Sequence, residues 1–147
     1  MSVRFLNVDV EVRDSADLTS LGAALESLGR DVSLLYCGEI EPGRWMLSFE
    51  AYLDTMDDPD AVAAACCAAI EHLPPAARAR WNEADDRVFD LGFDAAVDGH
   101  VGQPVLSPAT LARLAAIDAR IAISVYTHDL VSRETSTDAE LIAPDSD

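Results

Sequence analysis

The alternation of apolar and polar side chains is clearest near the start of the chain, over residues 3–13. The inward face of this segment is predicted to consist of Leu6, Val8, Val10 and Val12, and the wet face of Asn7, Asp9, Glu11 and Arg13. A period of two predicts a β-strand with one face in solvent. Such a strand is typical of an antiparallel sheet or of a sheet covered on one side only.

Four more segments carry strand patterns. Residues 31–37, 45–53 and 88–94 each alternate, and Ile121, Ile123 and Val125 form the apolar side of a fifth strand. The segment 38–43 between the second and third strands contains turn residues, which predicts a hairpin. In the fourth strand Asp90 and Asp94 are predicted to lie on the wet face.

Helix signals separate these strands. Asp14 or Ser15 is predicted to cap a first helix that ends at Gly29. A second helix is predicted to start at Asp57-Asp58-Pro59 and to run to about Leu73, and Pro75 can open a short further helix. A last helix is predicted to begin at Ser107-Pro108, before the fifth strand.

The order of these elements predicts an α+β fold with a ferredoxin-like βαββαβ core, extended by a further helix and strand. Helices on one face of the sheet would leave the polar strand positions in water. Residues 1–131 are expected to form a single domain, and residues 132–147, which are polar and aperiodic, a flexible acidic tail.

The charge of the chain is unusual. It has 27 acidic and 10 basic residues, a formal net charge of −17, and every basic residue is Arg. Binding to nucleic acid or to an anionic membrane is therefore disfavoured, and a basic protein partner is favoured. The alternative is that the acidity reflects a GC-rich genome or a salt-rich cytoplasm and serves solubility alone.

Cysteine usage and the N-terminal segment predict a cytoplasmic protein. The chain has an odd number of cysteines, Cys37, Cys66 and Cys67. Their spacing matches neither a disulfide framework nor a set of metal ligands. Adjacent helix positions differ by about 100°, so only one of Cys66 and Cys67 is expected to face the core fully. No signal peptide or membrane-spanning segment is visible.

Two acidic concentrations are candidate partner-binding patches. The run before the second helix fails as a calcium loop, because Pro59 and Ala65 stand where Gly and Glu are needed. Helix-start electrostatics and solvated faces explain both concentrations more simply. The candidate partner-binding residues are Asp54, Asp57, Asp58, Asp60, Glu83, Asp85 and Asp86.

The histidines show no metal or catalytic spacing. His100 is the most plausible functional one, because the Gly-containing loop at 97–104 would present it beside Asp98. Asp98 and His100 are therefore the candidate ligand-binding residues of an alternative hypothesis. No phosphate-binding, nucleophile-elbow or zinc motif is present, and no metal, cofactor or catalytic residue is predicted.

The sequence LSPATLARLAAIDARIAISVY at 106–126 resembles the closing helix and strand of an uncharacterised bacterial family, domain of unknown function 4279. Trp45, at the start of a middle strand, is also similar. The resemblance implies a small bacterial cytoplasmic protein, of a kind similar to immunity proteins in toxin systems. It implies no catalytic residues.

Three functional hypotheses follow. The leading one is a non-enzymatic protein-binding domain, an immunity-type inhibitor that uses an acidic face against a basic toxin or nucleic-acid-binding protein. The second is a small-molecule-binding protein or enzyme with its site near the 97–104 loop. The third is an acidic structural domain of a salt-adapted cell. A homodimer formed by a partly covered apolar face of the third strand is a further expectation.

Overall fold

The computed structural model describes residues 2–29, 31–96 and 103–127. Five strands and four helices follow one another in this part of the chain. They are β1 (Ser2–Asp14), α1 (Thr19–Glu26), β2 (Val32–Glu41), β3 (Arg44–Ala51), α2 (Pro59–Glu71), α3 (Pro75–Glu83), β4 (Asp86–Ala96), α4 (Pro108–Ala116) and β5 (Arg120–Thr127). The predicted domain boundary at 131 and the predicted tail at 132–147 lie outside the described residues.

The strands form one sheet in the order β2-β3-β1-β4-β5. β1 lies between β3 and β4 and is antiparallel to both, while β2 and β3 form the predicted hairpin. β5 joins the outer side of β4 in parallel, and α4 lies in the connection between them. The predicted α+β fold, a ferredoxin-like core extended by one helix and one strand, is confirmed.

The core lies between the helices and one face of the sheet. Inward residues of the three central strands pack with the buried stripes of the helices into one cluster. Trp81 of α3 is fully buried, and its indole Nε1 donates a hydrogen bond to the Ile117 carbonyl at 2.9 Å. The largest fully buried side chains are Trp81, Phe49, Phe89, Leu18, Leu21, Leu25, Leu47, Ile70, Leu91 and Ile117.

The alternation of β1 is broken once, which the sequence pattern did not reveal. The pairing with β4 shifts register between Phe5 and Asn7, so Leu6 is the extra residue of a bulge. Phe5 is buried in place of Leu6, which is exposed. The ring of Phe5 meets that of Phe93 edge to face, with the ring centroids 5.8 Å apart. The predicted inward position of Leu6 was wrong.

The predicted cap of α1 was also wrong, because α1 begins later than expected, at Thr19. Asp14 instead forms an ion pair with Arg80 of α3. Burial alone would raise the pKa of Asp14, but hydrogen bonds from Arg80 and the Ser15 amide outweigh it and hold the pKa below its usual range. Asp14 therefore joins the end of β1 to α3.

The caps predicted for α2 and α4 are confirmed. The Asp58 carboxylate accepts from the Asp60 amide at 3.0 Å, and the Ser107 hydroxyl accepts from the Thr110 amide at 3.2 Å. A proline occupies the first turn of each helix. These caps satisfy amide groups that a helix start leaves without partners.

Both adjacent cysteines of α2 are fully buried, contrary to the expectation that only one would face the core. The reason is that α2 packs against β1 and β3 on one side and against α4 on the other. Burial raises the pKa of Cys66 to about 12 and that of Cys67 to about 11. Both thiols are therefore protonated, and they act as small apolar side chains.

Candidate functional site

The face of the sheet opposite the helices carries the polar half of the strand alternation, and we call it the open face. Its register brings wet-face residues of all five strands side by side. The polar side chains on the open face include those of Ser33, Tyr36, Ser48, Glu50, Tyr52, Arg4, Asn7, Asp9, Glu11, Arg13, Asp86, Asp90, Asp94, Arg120, Ser124 and Tyr126.

Three carboxylates from neighbouring strands meet at the centre of the open face, and we call them the carboxylate row: Glu50 of β3, Asp9 of β1 and Asp90 of β4. Asp9 and Asp90 stand directly opposite each other in the β1–β4 ladder. Like charges in this position repel each other. The Asn7 amide nitrogen donates to Asp9 at 3.2 Å and to Glu50 at 3.0 Å, so it bridges two of the three.

This crowding changes how the carboxyl groups titrate. Burial, the hydrogen bond with Glu50 and the negative charges of Glu50, Asp90 and Glu11 raise the pKa of Asp9 to about 7. Burial would also raise the pKa of Glu50, but hydrogen bonds with Asp9, Tyr52 and Asn7 lower it. The two groups therefore share one proton, carried on Asp9 and donated to the Glu50 carboxylate.

Gly92 makes room for the amide that bridges the row. It faces Asn7 in the β1–β4 ladder and lies between Asp90 and Asp94 on β4. A Cβ atom at Gly92 would lie 2.7 Å from the Asn7 side-chain oxygen and 3.7 Å from the Tyr126 ring. Glycine at this position thus allows both side chains to lie across the strand.

Two exposed tyrosines, Tyr52 and Tyr126, lie beside the carboxylate row, while the Tyr36 side chain runs along β2 and donates to the Glu39 carbonyl. Tyr36, Tyr52 and Tyr126 are all exposed, and they come from β2, the end of β3 and β5. The Tyr52 hydroxyl bonds to Glu50, which raises the pKa of this phenol. Tyrosine is enriched at protein interfaces and attracts the planar cation of Arg.

Arginines neutralise the rim of the open face but not its centre. Arg4 pairs with Asp94 at 2.8 Å, Arg13 with Glu11 at 3.3 Å, and Arg120 with Asp86 at 2.8 Å. Within 2–29, 31–96 and 103–127, no arginine forms an ion pair with the carboxylate row. Asp90 instead accepts a hydrogen bond from the Ser124 hydroxyl at 2.7 Å.

The acidic residues chosen from the sequence are not gathered on one surface. β3 and β4 run in the same direction, since both are antiparallel to β1. The group that follows β3 therefore lies at one end of the sheet, and the group that precedes β4 lies at the other. The first group is Asp54, Asp57, Asp58 and Asp60, and the second is Glu83, Asp85 and Asp86.

Several members of these groups have structural partners. Asp58 caps α2, and the Asp60 carboxylate accepts from the Ser107 amide at 2.7 Å, which lowers its pKa. Asp86 accepts two hydrogen bonds from Arg120, at 2.9 and 2.8 Å. Helix-start and strand-pairing roles thus account for much of both concentrations.

Asp98 and His100 of the alternative site lie outside the described residues. A cavity of about 490 Å³ lies between α1, α2 and the β2–β3 hairpin. Its lining is mainly apolar and includes Asp31 and His72. The described residues contain no group of three or more His, Cys, Asp or Glu that could hold a metal ion.

None of the three carboxylate-row residues was among the candidate site residues chosen from the sequence, and Glu50 was not assigned to a face of its strand either. It stands between Phe49 and Ala51, which are both buried, so the alternation of β3 places it on the wet face. The pattern also placed Asp9 and Asp90 on wet faces. It did not show that β1 lies between β3 and β4, and that neighbourhood is what brings the three carboxylates together.

The fold and this face define an α+β protein of extended ferredoxin-like plan with an acidic, tyrosine-flanked sheet surface. No protein-family model, curated protein or solved structure matches the chain. The resemblance of residues 106–126 to an uncharacterised bacterial family stays a prediction. Within the described ranges, no helix is both long and apolar enough to span a membrane.

Proposed function

We propose that this chain is a non-enzymatic protein-binding domain whose open face binds a basic segment of another protein. An immunity-type inhibitor of a basic toxin or nucleic-acid-binding protein is the form of this function that the charge favours. The observation that carries the proposal is the carboxylate row, which lies at the centre of a sheet face with no arginine paired to it among the described residues.

The electrostatics of the row support a cationic ligand. Asp9 holds its proton up to about pH 7 because of burial and the neighbouring negative charges. A guanidinium or ammonium group placed between Asp9 and Glu50 would relieve this repulsion and release the proton. Binding energy would thus come from an unfavourable charge arrangement that already exists in the free protein.

The surroundings of the row suit Arg in particular. Tyr52 and Tyr126 provide aromatic faces beside the carboxylates, and the carboxylates offer paired oxygen acceptors. The guanidinium group forms two parallel hydrogen bonds to a carboxylate and stacks on aromatic rings. A net charge of −17 would speed the encounter with a basic partner.

The test is calorimetric titration with an arginine-rich peptide at pH 8, where Asp9 is mostly ionised. We expect the double variant Asp9→Asn/Glu50→Gln to lose about tenfold in affinity, which corresponds to about 1.4 kcal/mol. The matched control, Asp54→Asn/Asp57→Asn, removes two acidic groups at the start of α2 and should lose less than about threefold. Raising the salt concentration should weaken binding of the wild-type chain.

Equal losses in the two double variants would mean that only the net charge matters, and the proposal would then be wrong. Such a result would favour the acidic structural domain of a salt-adapted cell. The hypothesis of a small-molecule or enzymatic site at 97–104 stays a prediction, since Asp98 and His100 lie outside the described residues.

A further inference from the structure

β5 carries an apolar row that continues the core beyond the last covered strand. Ile121, Ile123 and Val125 stand beside Phe89, Leu91 and Phe93 of β4, on the helix side of the sheet. The three β4 residues are buried, whereas Ile121 is 38%, Ile123 59% and Val125 56% exposed. Branched apolar residues on the core side of a sheet are normally buried, so the exposure of these three side chains is unusual.

The two edges of the sheet differ in how they are protected. The pairing of β2 with β3 shifts register twice, and β2 carries Glu39 and Glu41. β5 pairs with β4 without a shift and contains no Pro, Gly, Asp or Glu. Bulges and charges are the usual means of preventing an edge strand from pairing. Among the described residues, β2 is therefore a blocked edge, and no strand pairs with the outer edge of β5.

We propose that a second copy of this chain pairs with β5, in antiparallel orientation about a two-fold axis at Ile123. Ile121 would then face Val125 of the second copy, and Ile123 would face its own counterpart. On the open face Arg120 would face Tyr126, and Ala122 would face Ser124. Every position meets one from the same face, as an isologous interface requires.

The charge distribution selects a second copy rather than the basic partner. Two chains with a net charge of −17 repel each other, so their approach costs least at an edge strand that carries no carboxylate of its own. β5 is such a strand: its single charged residue is Arg120, which already binds the Asp86 carboxylate, and its Ser124 binds Asp90. The carboxylate row would draw a basic partner to the centre of the open face instead, so the two interfaces do not compete.

Sedimentation equilibrium of the full-length chain at low and high salt tests this proposal. We expect a dimer whose dissociation constant falls as salt increases, because salt screens the repulsion between the copies. This dependence is opposite to that expected for a basic partner, so failure of one proposal is distinguishable from failure of the other.

Ile123→Lys should raise the dissociation constant of the dimer by at least about tenfold, since it places a charge in each copy at the two-fold axis. The matched control, Ile40→Lys, makes the same change on the blocked edge and should leave it unchanged. Ile123→Thr keeps a β-branched side chain. It should weaken the dimer and leave the circular dichroism spectrum of the chain unchanged, which shows that the fold is intact. A monomer at all salt concentrations, or a dimer weakened by Ile40→Lys alone, would overturn the proposal.

Discussion

The pKa of Asp9 is the property most directly affected by the crowding of negative charge on the open face. Its raised pKa means that the folded chain binds this proton more tightly than the unfolded chain, in which the pKa is near 3.8. The free energy of unfolding should therefore fall as pH rises from about 4 to about 7, and this contribution should be constant above that. Asn at this position would donate to Glu50 at every pH.

Asp9→Asn should consequently raise the melting temperature at pH 8 and change it little at pH 5. We expect a rise of about 4 °C, the size of about 1 kcal/mol in a chain of this length, allowing for the partial exposure of the carboxyl group. Thermal unfolding followed by circular dichroism between pH 5 and 8 measures it. A gain that is the same at both pH values would show that Asp9 does not hold the proton.

Gly92→Ala tests whether the space above Gly92 of β4 is needed for the Asn7 side chain to bridge Asp9 and Glu50. A Cβ atom there would displace the Asn7 side-chain oxygen, which lies 2.7 Å away, and would disturb its hydrogen bonds to Asp9 and Glu50. Because those bonds stabilise the ionised carboxylates, the pKa of Asp9 should rise further in this variant. Titration of the Asp9 carboxyl carbon by nuclear magnetic resonance measures the change, and Asn7→Ala should reproduce it. An unchanged titration in both variants would contradict this role of Asn7.

At the scale of elements, Arg87 joins three parts of the fold. This side chain, nine-tenths buried, donates to the Trp81 carbonyl in the last turn of α3 at 3.1 Å and to the Ala84 carbonyl that follows the helix at 2.6 Å. It also donates to the carbonyl and the carboxylate of Asp118, at 3.0 and 2.8 Å. Asp118 has a φ of 59° and turns the chain from α4 into β5.

Arg87→Met should therefore be strongly destabilising, by about 3 kcal/mol, because it removes the donor from the buried Ala84 carbonyl and from the Asp118 carbonyl. The control Asp118→Asn keeps the backbone acceptor and alters only an 85% exposed side chain, so it should cost under about 1 kcal/mol. Urea unfolding of both variants measures the difference. Similar losses in the two would assign the stability to the surface ion pair instead.

Most helices and strands could be predicted from the sequence. The predictions failed where the position of a side chain depends on which other elements pack beside it. The caps by Asp58 and Ser107 depend on local chemistry, and both were predicted. The bulge at Leu6 depends on pairing with β4, and the burial of both Cys66 and Cys67 depends on α4 covering α2. On β3 the inward residues Leu47, Phe49 and Ala51 are buried, whereas the exposed apolar row lies on β5. Dimerisation through the third strand stays a prediction.

At the scale of the whole molecule, partner binding is linked to pH. Both members of the Asp9–Glu50 pair are ionised only above about pH 7, so affinity for a cationic peptide should rise between pH 6 and 8. We expect an increase of about threefold to tenfold, up to about 1.4 kcal/mol. Titration with an arginine-rich peptide blocked at both ends measures it. Asp9→Asn should remove this dependence, whereas an equal rise in that variant would assign the titration to another group.

The most direct test of the central claim is to map the bound arginine-rich peptide by chemical-shift changes in the full-length chain. The largest changes should fall on the open-face residues of β1, β3 and β4, around Asp9, Glu50 and Asp90. Changes concentrated instead at Asp54–Asp60 or Glu83–Asp86, or spread evenly over the surface, would contradict it.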